Sequence, residues 1–173
     1  MVECARFENT YRDLIQWYTN DAGFVAAENV GKSYVRGTEI VWNLSALKRL
    51  TITGNWTFQE SKVTGELRKY YRDKQLPNRP KNYGSIKVEC TVERFVPFWS
   101  LDRKSSYFLD RANQPQKRYP GRSLNDIGVT FPFMNGRSSC TILLKNVSDV
   151  HTFDIFGMPK PGRSYMVTLV HTQ

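Results

Sequence analysis

Apolar and polar residues alternate with period two along most of this chain. This is the pattern of β-strands, because successive side chains point to opposite faces of a sheet. In residues 50–59, the side chains of Leu50, Ile52, Trp56 and Phe58 share one face, and threonine, asparagine and glutamine occupy the other. A helix would scatter these apolar side chains around its axis. The run therefore predicts a strand with one apolar and one polar face.

The same alternation recurs at residues 85–92, 126–133 and 165–169. It predicts an all-β, antiparallel up-and-down protein without a convincing helix, although the charged segment 66–74 could form one helical turn. Several of the runs are longer than the five or six residues usual in globular strands, and long enough to cross a membrane. About eight strands are predicted, at 4–18, 28–44, 49–63, 81–92, 97–109, 122–133, 139–156 and 163–172.

The predicted connections alternate between short and long. Transmembrane β-barrels have this arrangement, with short periplasmic turns and longer extracellular loops. Residues 159–162 are expected to be a short final connection on the long-loop side. The other short connections fall at 45–48, 93–96 and 134–138, and the long ones at 19–27, 64–80 and 110–121.

Composition agrees with a barrel once the strand periodicity is known. Aromatic residues make up 13% of the 173 residues, which suits strands and interfacial aromatic girdles. The mean hydropathy of -0.52 resembles that of a soluble protein, but only every second residue of a barrel strand faces lipid. No apolar run reaches about 18 residues, which excludes a transmembrane helix. The first residues also lack the basic start and apolar stretch of a secretory signal.

The net charge bears on the possible partners, and the cysteines bear on metal binding and disulfides. The formal charge of +9 indicates an anionic partner, such as nucleic acid, lipopolysaccharide phosphate or an anionic ligand, or else basic loops beside a membrane. The cysteines are Cys4, Cys90 and Cys140, an odd number without a CxxC pair or Cys/His cluster. No metal site is therefore expected. Cys90 and Cys140 are interpreted as small apolar fillers of strands, and their pairing stays open.

Three motifs resemble the closing part of TonB-dependent outer-membrane receptors. The first is Leu-Leu-Lys-Asn-Val-Ser-Asp at 143–149, followed by Pro-Gly-Arg-Ser-Tyr at 161–165 and a last strand. The second is Asn-Val-Gly-Lys at 29–32 with Gly-Thr-Glu-Ile at 37–40. The third is Leu-Pro-Asn-Arg-Pro at 76–80. They occur in the order expected for that family.

The resemblance implies that residues 1–173 form the C-terminal part of such a barrel, without a plug domain or signal peptide. A whole receptor of this kind has about 22 strands around a plug. The implied parent function is energised uptake of iron-siderophore or vitamin B12 in the cell outer membrane, with no cofactor. An isolated part of a barrel is expected to transport nothing, because it encloses no pore. The implied partners are outer-membrane lipid, the N-terminal barrel and plug segment, the TonB energy-coupling system and a small-molecule ligand.

The end of the chain departs from the family pattern. Members usually finish with an aromatic residue that aids barrel assembly, whereas this sequence finishes with His171, Thr172 and Gln173. Without a terminal aromatic residue, the chain is expected to insert into a membrane less efficiently than the usual family member.

Two groups of residues are candidates for a site. Gly37 and Glu39 share a strand face with Val35 and Val41, and Glu39 is either a lumen-facing carboxylate near a plug or a cross-strand partner of a basic residue. Basic and aromatic residues are interleaved in two long loops, a composition that can stack on and neutralise an anionic catecholate or a nucleic-acid strand, or that simply forms a solvated loop. These loop candidates are Arg68, Tyr70, Tyr71, Arg72, Arg118 and Tyr119. The Pro-Gly-Arg run at 161–163 is interpreted as turn chemistry.

Catalytic chemistry is not expected. The sequence has no nucleophile elbow, phosphate loop or zinc motif, and His151 and His171 lie far apart. Two other interpretations of the chain stay open beside the receptor. One is a self-contained eight-stranded outer-membrane barrel. The other is a soluble basic β-protein that binds nucleic acid, although the receptor interpretation predicts no nucleic-acid partner.

Overall fold

The computed structural model describes residues 1–19, 22–46, 49–65, 69–155 and 158–172. Eight long strands form one antiparallel sheet in the order β1-β2-β3-β4-β5-β8-β9-β12. Two small ribbons, β6 with β7 and β10 with β11, lie in the connections. The strands are β1 Val2–Thr19, β2 Val25–Ala46, β3 Leu50–Gly65, β4 Asn82–Cys90, β5 Val96–Lys104, β6 Tyr107–Phe108, β7 Arg118–Tyr119, β8 Arg122–Phe133, β9 Ser138–Lys145, β10 Phe153–Ile155, β11 Met158–Pro159 and β12 Ser164–His171.

On one face of the sheet, the register places apolar side chains of neighbouring strands opposite one another. Ile52, for example, lies between Leu44 and Val88, and Trp99 lies beside Ile127. Much of this face is exposed, with Leu169 at 72%. We call it the outward apolar band, formed by Ile40, Trp42, Leu44, Leu50, Ile52, Trp56, Phe58, Ile86, Val88, Pro97, Trp99, Leu101, Ile127, Val129, Ile142, Leu144, Tyr165, Val167 and Leu169.

The opposite face is polar for most of its length and carries a small core near the long loops. Val35 and Val63 on neighbouring strands bury their side chains against Leu76 from the connection between β3 and β4. Phe7, Tyr11 and Leu14 of β1 pack around these residues. This connection therefore folds onto the inner face of the sheet. No helix within the described residues is long and apolar enough to cross a membrane.

Aromatic rings cover glycines directly opposite them on neighbouring strands. Phe7 lies over Gly37, Trp42 over Gly54, Trp56 over Gly84 and Phe98 over Gly128. A glycine leaves backbone exposed and weakens a strand, and an aromatic ring across the ladder covers that gap. These four pairs repeat from β1 to β8 and help to set the register.

All eight predicted strands are present, and from the connection between β2 and β3 onward the short and long connections alternate as expected. Two predicted strands extend too far. The strand predicted at 97–109 leaves the sheet after Lys104, and residues 107–108 join the ribbon with β7 instead. The strand predicted at 139–156 stops at Lys145, because Asn146 takes a positive φ of 51° and its amide side chain bonds to Val150.

Two connections differ in length from the predicted ones. The last one spans 146–163 and is long, so the short connection expected at 159–162 was wrong. The first one is shorter than the predicted 19–27, because β1 and β2 continue as a hairpin to Thr19 and Val25. The helical turn considered at 66–74 is a 3-10 turn at Lys69–Tyr71, and residues 66–68 lie outside the described part.

The sheet is open. Within the described residues β1 pairs only with β2 and β12 pairs only with β9, so each has one unpaired edge. Closure into a self-contained eight-stranded barrel would require β1 to pair with β12. An exposed long edge is a template for pairing with another strand.

An ionic cluster joins β2 to β3 beyond the outward apolar band. The carboxylate of Glu60 accepts hydrogen bonds from Lys62 Nζ at 2.8 Å and Arg36 Nη2 at 2.8 Å. Glu60 follows Phe58, the last apolar outward residue of β3, by two positions. The hydrogen bonds from Lys62 and then Arg36 lower the pKa of Glu60 to about 2.

We expect the Gly128→Ala variant to destabilise the sheet, because an added methyl meets the Phe98 ring and also the backbone carbonyl of Ile142. Overpacking of this kind costs roughly 1–3 kcal/mol. The loss in the free energy of unfolding is measured by urea titration in detergent micelles. The double variant with Phe98→Leu should recover part of the loss, and an equal loss in the single and double variants would contradict the proposed ring contact.

We expect the contribution of Glu60 to stability to depend on pH. Its folded-state pKa is lowered from 4.5 to about 2, so the contribution is complete above pH 4.5 and is lost as the pH falls toward 2. Glu60→Gln should lower the urea midpoint at pH 7, and the difference from the unmodified chain should vanish in strong acid. Glu3→Gln removes the same charge near the start of β1 and is the control. A pH-independent difference would count against the ionic cluster.

Candidate ligand-binding loops

Three long connections emerge from the same end of the sheet, at 66–81, 105–121 and 146–163. This follows from antiparallel topology, since every second connection returns to the same end. We refer to them as loops 1, 2 and 3. They contain all of the sequence-predicted loop candidates.

Loop 1 carries four of the six loop candidates. Arg68 lies outside the described residues. Tyr70 is 63% exposed, and its ring meets the Tyr71 ring edge-on with centroids 5.5 Å apart. Arg72 is exposed. The structure thus presents one tyrosine and one arginine to solvent, with Tyr71 partly buried beside them.

The partial burial of Tyr71 comes from loop 2. The guanidinium of Arg111 lies 4.6 Å from the centroid of the Tyr71 ring, and Arg111 is itself buried. A cation over an aromatic face is attracted by the ring quadrupole, more strongly when both groups are desolvated. Tyr71 is therefore engaged by the protein through one face of its ring.

Loop 1 is held firmly where it crosses the inner face. Leu76 and Pro77 are fully buried. The backbone N–H of Gln75 donates to Asn113 Oδ1 at 2.7 Å, and Asn113 Nδ2 donates back to the Gln75 carbonyl at 2.9 Å. This reciprocal pair between the Gln75 backbone and the Asn113 side-chain amide joins loop 1 to loop 2.

Loop 2 holds the other two candidates, and both have structural contacts. Arg118 donates to Ser106 Oγ at 2.7 Å and lies over the Phe108 ring. The Tyr119 hydroxyl lies 3.0 Å from Thr152 Oγ1 and accepts the Phe153 N–H at 2.8 Å. Tyr119 thereby joins loop 2 to loop 3, and its hydroxyl is occupied by these contacts.

A cavity of about 450 Å³ lies between β3 and loops 1 and 2. It opens where β4 no longer pairs with β3, beyond Phe58. Its charged lining includes Lys62 and Lys81 as well as Glu60 and Asp73. The remaining lining is mainly amide and hydroxyl side chains together with Phe108, so the cavity can hold a polar group.

Gly37 and Glu39 share one face of β2, as the alternation predicted, and the register shows that this is the face opposite the outward apolar band. The residues directly opposite Glu39 are Ala5 on β1 and Thr57 on β3, neither of which is basic. The register therefore gives Glu39 no directly opposite cation. Gly37 admits the Phe7 ring, so its role here is to accept an aromatic neighbour.

Sequence reasoning missed the residues that connect the loops, namely Arg111, Asn113 and Thr152. The run 110–115 is rich in turn formers, and Asn113 has a positive φ of 55°. That signal marks a turn, but it does not reveal bonding partners 38 residues away. Among the described residues, no group of three or more His, Cys, Asp or Glu side chains could hold a metal ion.

Several solved structures contain a region with the same fold as this chain. The siderophore receptor PiuA from Acinetobacter baumannii matches with a TM-score of 0.77 at 20% identity, over 98% of this chain and 26% of the receptor. BauA, the ferric preacinetobactin receptor from Acinetobacter baumannii, matches at 0.75 and 16% identity, over 98% and 27%. The copper transporter OprC matches at 0.75 and 10% identity, over 98% and 27%. This chain spans about a quarter of each of these structures.

Comparison by sequence identifies the family. A search of curated proteins gives no match. A family model described as TonB dependent receptor-like, beta-barrel matches residues 5–147, which is most of the chain. This is a receptor family and not a family of enzymes. The chain belongs to the TonB-dependent receptor-like β-barrel family.

Proposed function

We propose that this chain forms the C-terminal strands of an outer-membrane receptor for energised uptake of a ferric siderophore. In this proposal the remaining barrel strands and a plug belong to the same receptor and complete the sheet at the open edges of β1 and β12. Energy is supplied through the TonB system. The eight strands by themselves enclose no pore and transport nothing.

The family match over residues 5–147 carries the proposal. The outward apolar band supports a location in a membrane, since a soluble protein rarely exposes such a large contiguous apolar surface. Antiparallel pairing also satisfies the backbone between the two edge strands, as a lipid environment demands. The open sheet favours a part of a large barrel over the self-contained eight-stranded alternative.

The proposed cargo rests on the neighbours and on loop chemistry. Two of the similar structures are a siderophore receptor and a ferric preacinetobactin receptor, whereas the third is a copper transporter, so the fold alone does not select a cargo. Exposed Tyr70 and Arg72 in loop 1 suit a ligand that is both anionic and aromatic, such as a ferric catecholate. The similar structures give no support to vitamin B12.

Within this proposal the loop candidates divide by role. Tyr70, Tyr71 and Arg72 form the ligand-facing part of loop 1, and Arg68 stays a candidate from the sequence alone. Arg118 and Tyr119 act mainly by positioning loops 2 and 3, because their polar groups already bond to Ser106, Thr152 and Phe153. Glu39 faces the lumen, where a plug would lie.

The proposal is tested by growth on ferric siderophore as the only iron source. An in-frame deletion of the segment encoding this chain should abolish such growth in the strain that carries the receptor. Tyr70→Ala with Arg72→Ala should reduce siderophore binding by roughly tenfold, since a single cation–π or stacking contact is worth about 0.5–2 kcal/mol. Phe95→Ala with Arg94→Ala, in the short turn at the opposite end of the sheet, is the matched control. Growth that is unaffected by the deletion would refute the proposal.

The Tyr119→Phe variant tests whether Tyr119 positions loop 3 without contributing to ligand binding. Loss of the hydroxyl removes the contacts with Thr152 and Phe153, so loop 3 should become more sensitive to proteolysis between residues 146 and 163. The Tyr70→Ala variant should leave the cleavage rate unchanged. Equal cleavage of the Tyr119→Phe and unmodified chains would show that the hydroxyl does not hold loop 3.

A further inference from the structure

The edge of β3 that faces loop 1 is hydrogen-bonded on both sides of an unpaired stretch. On one side the backbone N–H of Gln59 donates to the Lys81 carbonyl at 2.7 Å. On the other side Val63 donates to the Lys74 carbonyl at 3.0 Å and accepts the Asp73 N–H at 2.8 Å. The strand positions between these bonds have no sheet neighbour at this edge, because β4 has already left the ladder. We call the stretch of edge at residues 60–62 the ladder gap.

Ser61 is at the centre of the ladder gap, and its main-chain groups point into it. Every second residue of an antiparallel strand directs its N–H and C=O to the same side, so Ser61 shares the side used by Gln59 and Val63. Within the part of the chain that the structure describes, neither loop 1 nor loop 2 supplies a backbone partner for Ser61. Ser61 is only 5% exposed. A buried main-chain donor and acceptor need partners, because leaving them unpaired is costly.

The ladder gap opens into the cavity between β3 and loops 1 and 2. Ser61 and its strand neighbours line one side of the cavity, and Asp73, Gln75 and Lys81 of loop 1 also line it. The volume of about 450 Å³ falls within the range of roughly 300–1,000 Å³ that is usual for small-molecule sites. There is therefore room beside Ser61 for a molecule larger than water.

The length of the ladder gap is three residues of an added strand. Lys81 occupies the position opposite Gln59, and loop 1 pairs again at Val63, so the free positions are those opposite residues 60, 61 and 62. A tripeptide in antiparallel orientation would place its middle residue opposite Ser61. That residue would donate its N–H to the Ser61 carbonyl and accept the Ser61 N–H. Addition of a peptide to an open strand edge is a recurrent mode of recognition.

The charges at the two ends of the ladder gap match the direction of such a peptide. Asp73 belongs to the Val63 end and Lys81 to the Gln59 end, and both side chains line the cavity. A peptide antiparallel to β3 runs from the Val63 end to the Gln59 end. Its N-terminal ammonium would therefore meet the Asp73 carboxylate, and its C-terminal carboxylate would meet the Lys81 ammonium.

The neighbouring charges leave these two groups available to a ligand. Lys62 attracts Asp73 through space, but the Lys62 ammonium is hydrogen-bonded to Glu60 at 2.8 Å. Glu60 is held in turn by Arg36. Among the described residues, neither Asp73 nor Lys81 forms an ion pair, and both are exposed.

We propose that the ladder gap binds a free tripeptide, with its middle residue paired to Ser61 and its two termini at Asp73 and Lys81. The charged termini select the ligand, because a longer or blocked peptide loses one or both ion pairs. Neither Tyr70 nor Arg72 lines the cavity, so this site is separate from the one proposed for the siderophore.

The test titrates the full chain, refolded in detergent micelles, with trialanine. Calorimetry gives the affinity, and the Ser61 amide signal in the NMR spectrum of the isotope-labelled chain reports the position of binding. We expect saturable binding that shifts the Ser61 signal and slows the hydrogen exchange of its amide. Trialanine with an acetylated N-terminus and an amidated C-terminus should bind roughly tenfold more weakly, as the loss of two exposed ion pairs allows.

The Asp73→Asn variant should weaken the binding of free trialanine several-fold and leave the binding of the blocked form unchanged. Asn tolerates the positive φ of 62° at this position, so the fold should persist. Glu93→Gln is the matched control, since Glu93 is also exposed, acidic and at a positive φ of 53°, but lies in a turn at the opposite end of the sheet. It should leave both affinities unchanged.

Four results would overturn the tripeptide site. These are the absence of saturable binding, equal affinity for free and blocked trialanine, binding that leaves the Ser61 amide unchanged, and equal weakening by Asp73→Asn and Glu93→Gln. None of these results bears on the membrane location of the strands or on siderophore uptake, which depend on other parts of the chain.

Discussion

The antiparallel hydrogen-bond ladder is the constraint on which the rest of this structure depends. In lipid, every backbone N–H and C=O must find a partner within the protein, and a continuous sheet provides that between its edges. The same ladder sets the register, and the register places apolar side chains on one face from β2 to β12. The aromatic rings over glycines reinforce it, because a shift of one residue would move each ring to the other face.

The ladder is open at two edges. β1 and β12 each have an edge without a partner among the described residues. Strands of this length with free edges are a liability in a soluble protein. They become useful when further strands of a larger barrel pair with them. The fourfold difference in length between this chain and the similar solved structures is consistent with that arrangement.

The long loops are ordered by contacts between loops. Arg111 reaches from loop 2 to the Tyr71 ring in loop 1, and Tyr119 reaches from loop 2 to Thr152 in loop 3. Loop 2 is therefore the central element of this end of the sheet. Between these contacts other side chains stay exposed, among them Tyr70 and Arg72 of loop 1. For the proposed siderophore site, loops that are already joined by such contacts would lose little ordering entropy on binding.

The sequence by itself determined the strands and their faces, since period-two patterning depends only on which side chains tolerate lipid or water. It also placed Glu39 and Gly37 on one face. It could not give the end of β9, because Asn146 stops the strand through bonds to Val150 that the apolar run Leu143-Leu144 does not reveal. Nor could it assign a structural role to Tyr119. That role depends on residues more than thirty positions away, which only the folded sheet brings together. Tertiary structure decided which loop residues are held and which are exposed, because those contacts arise from the position of the strand ends in space.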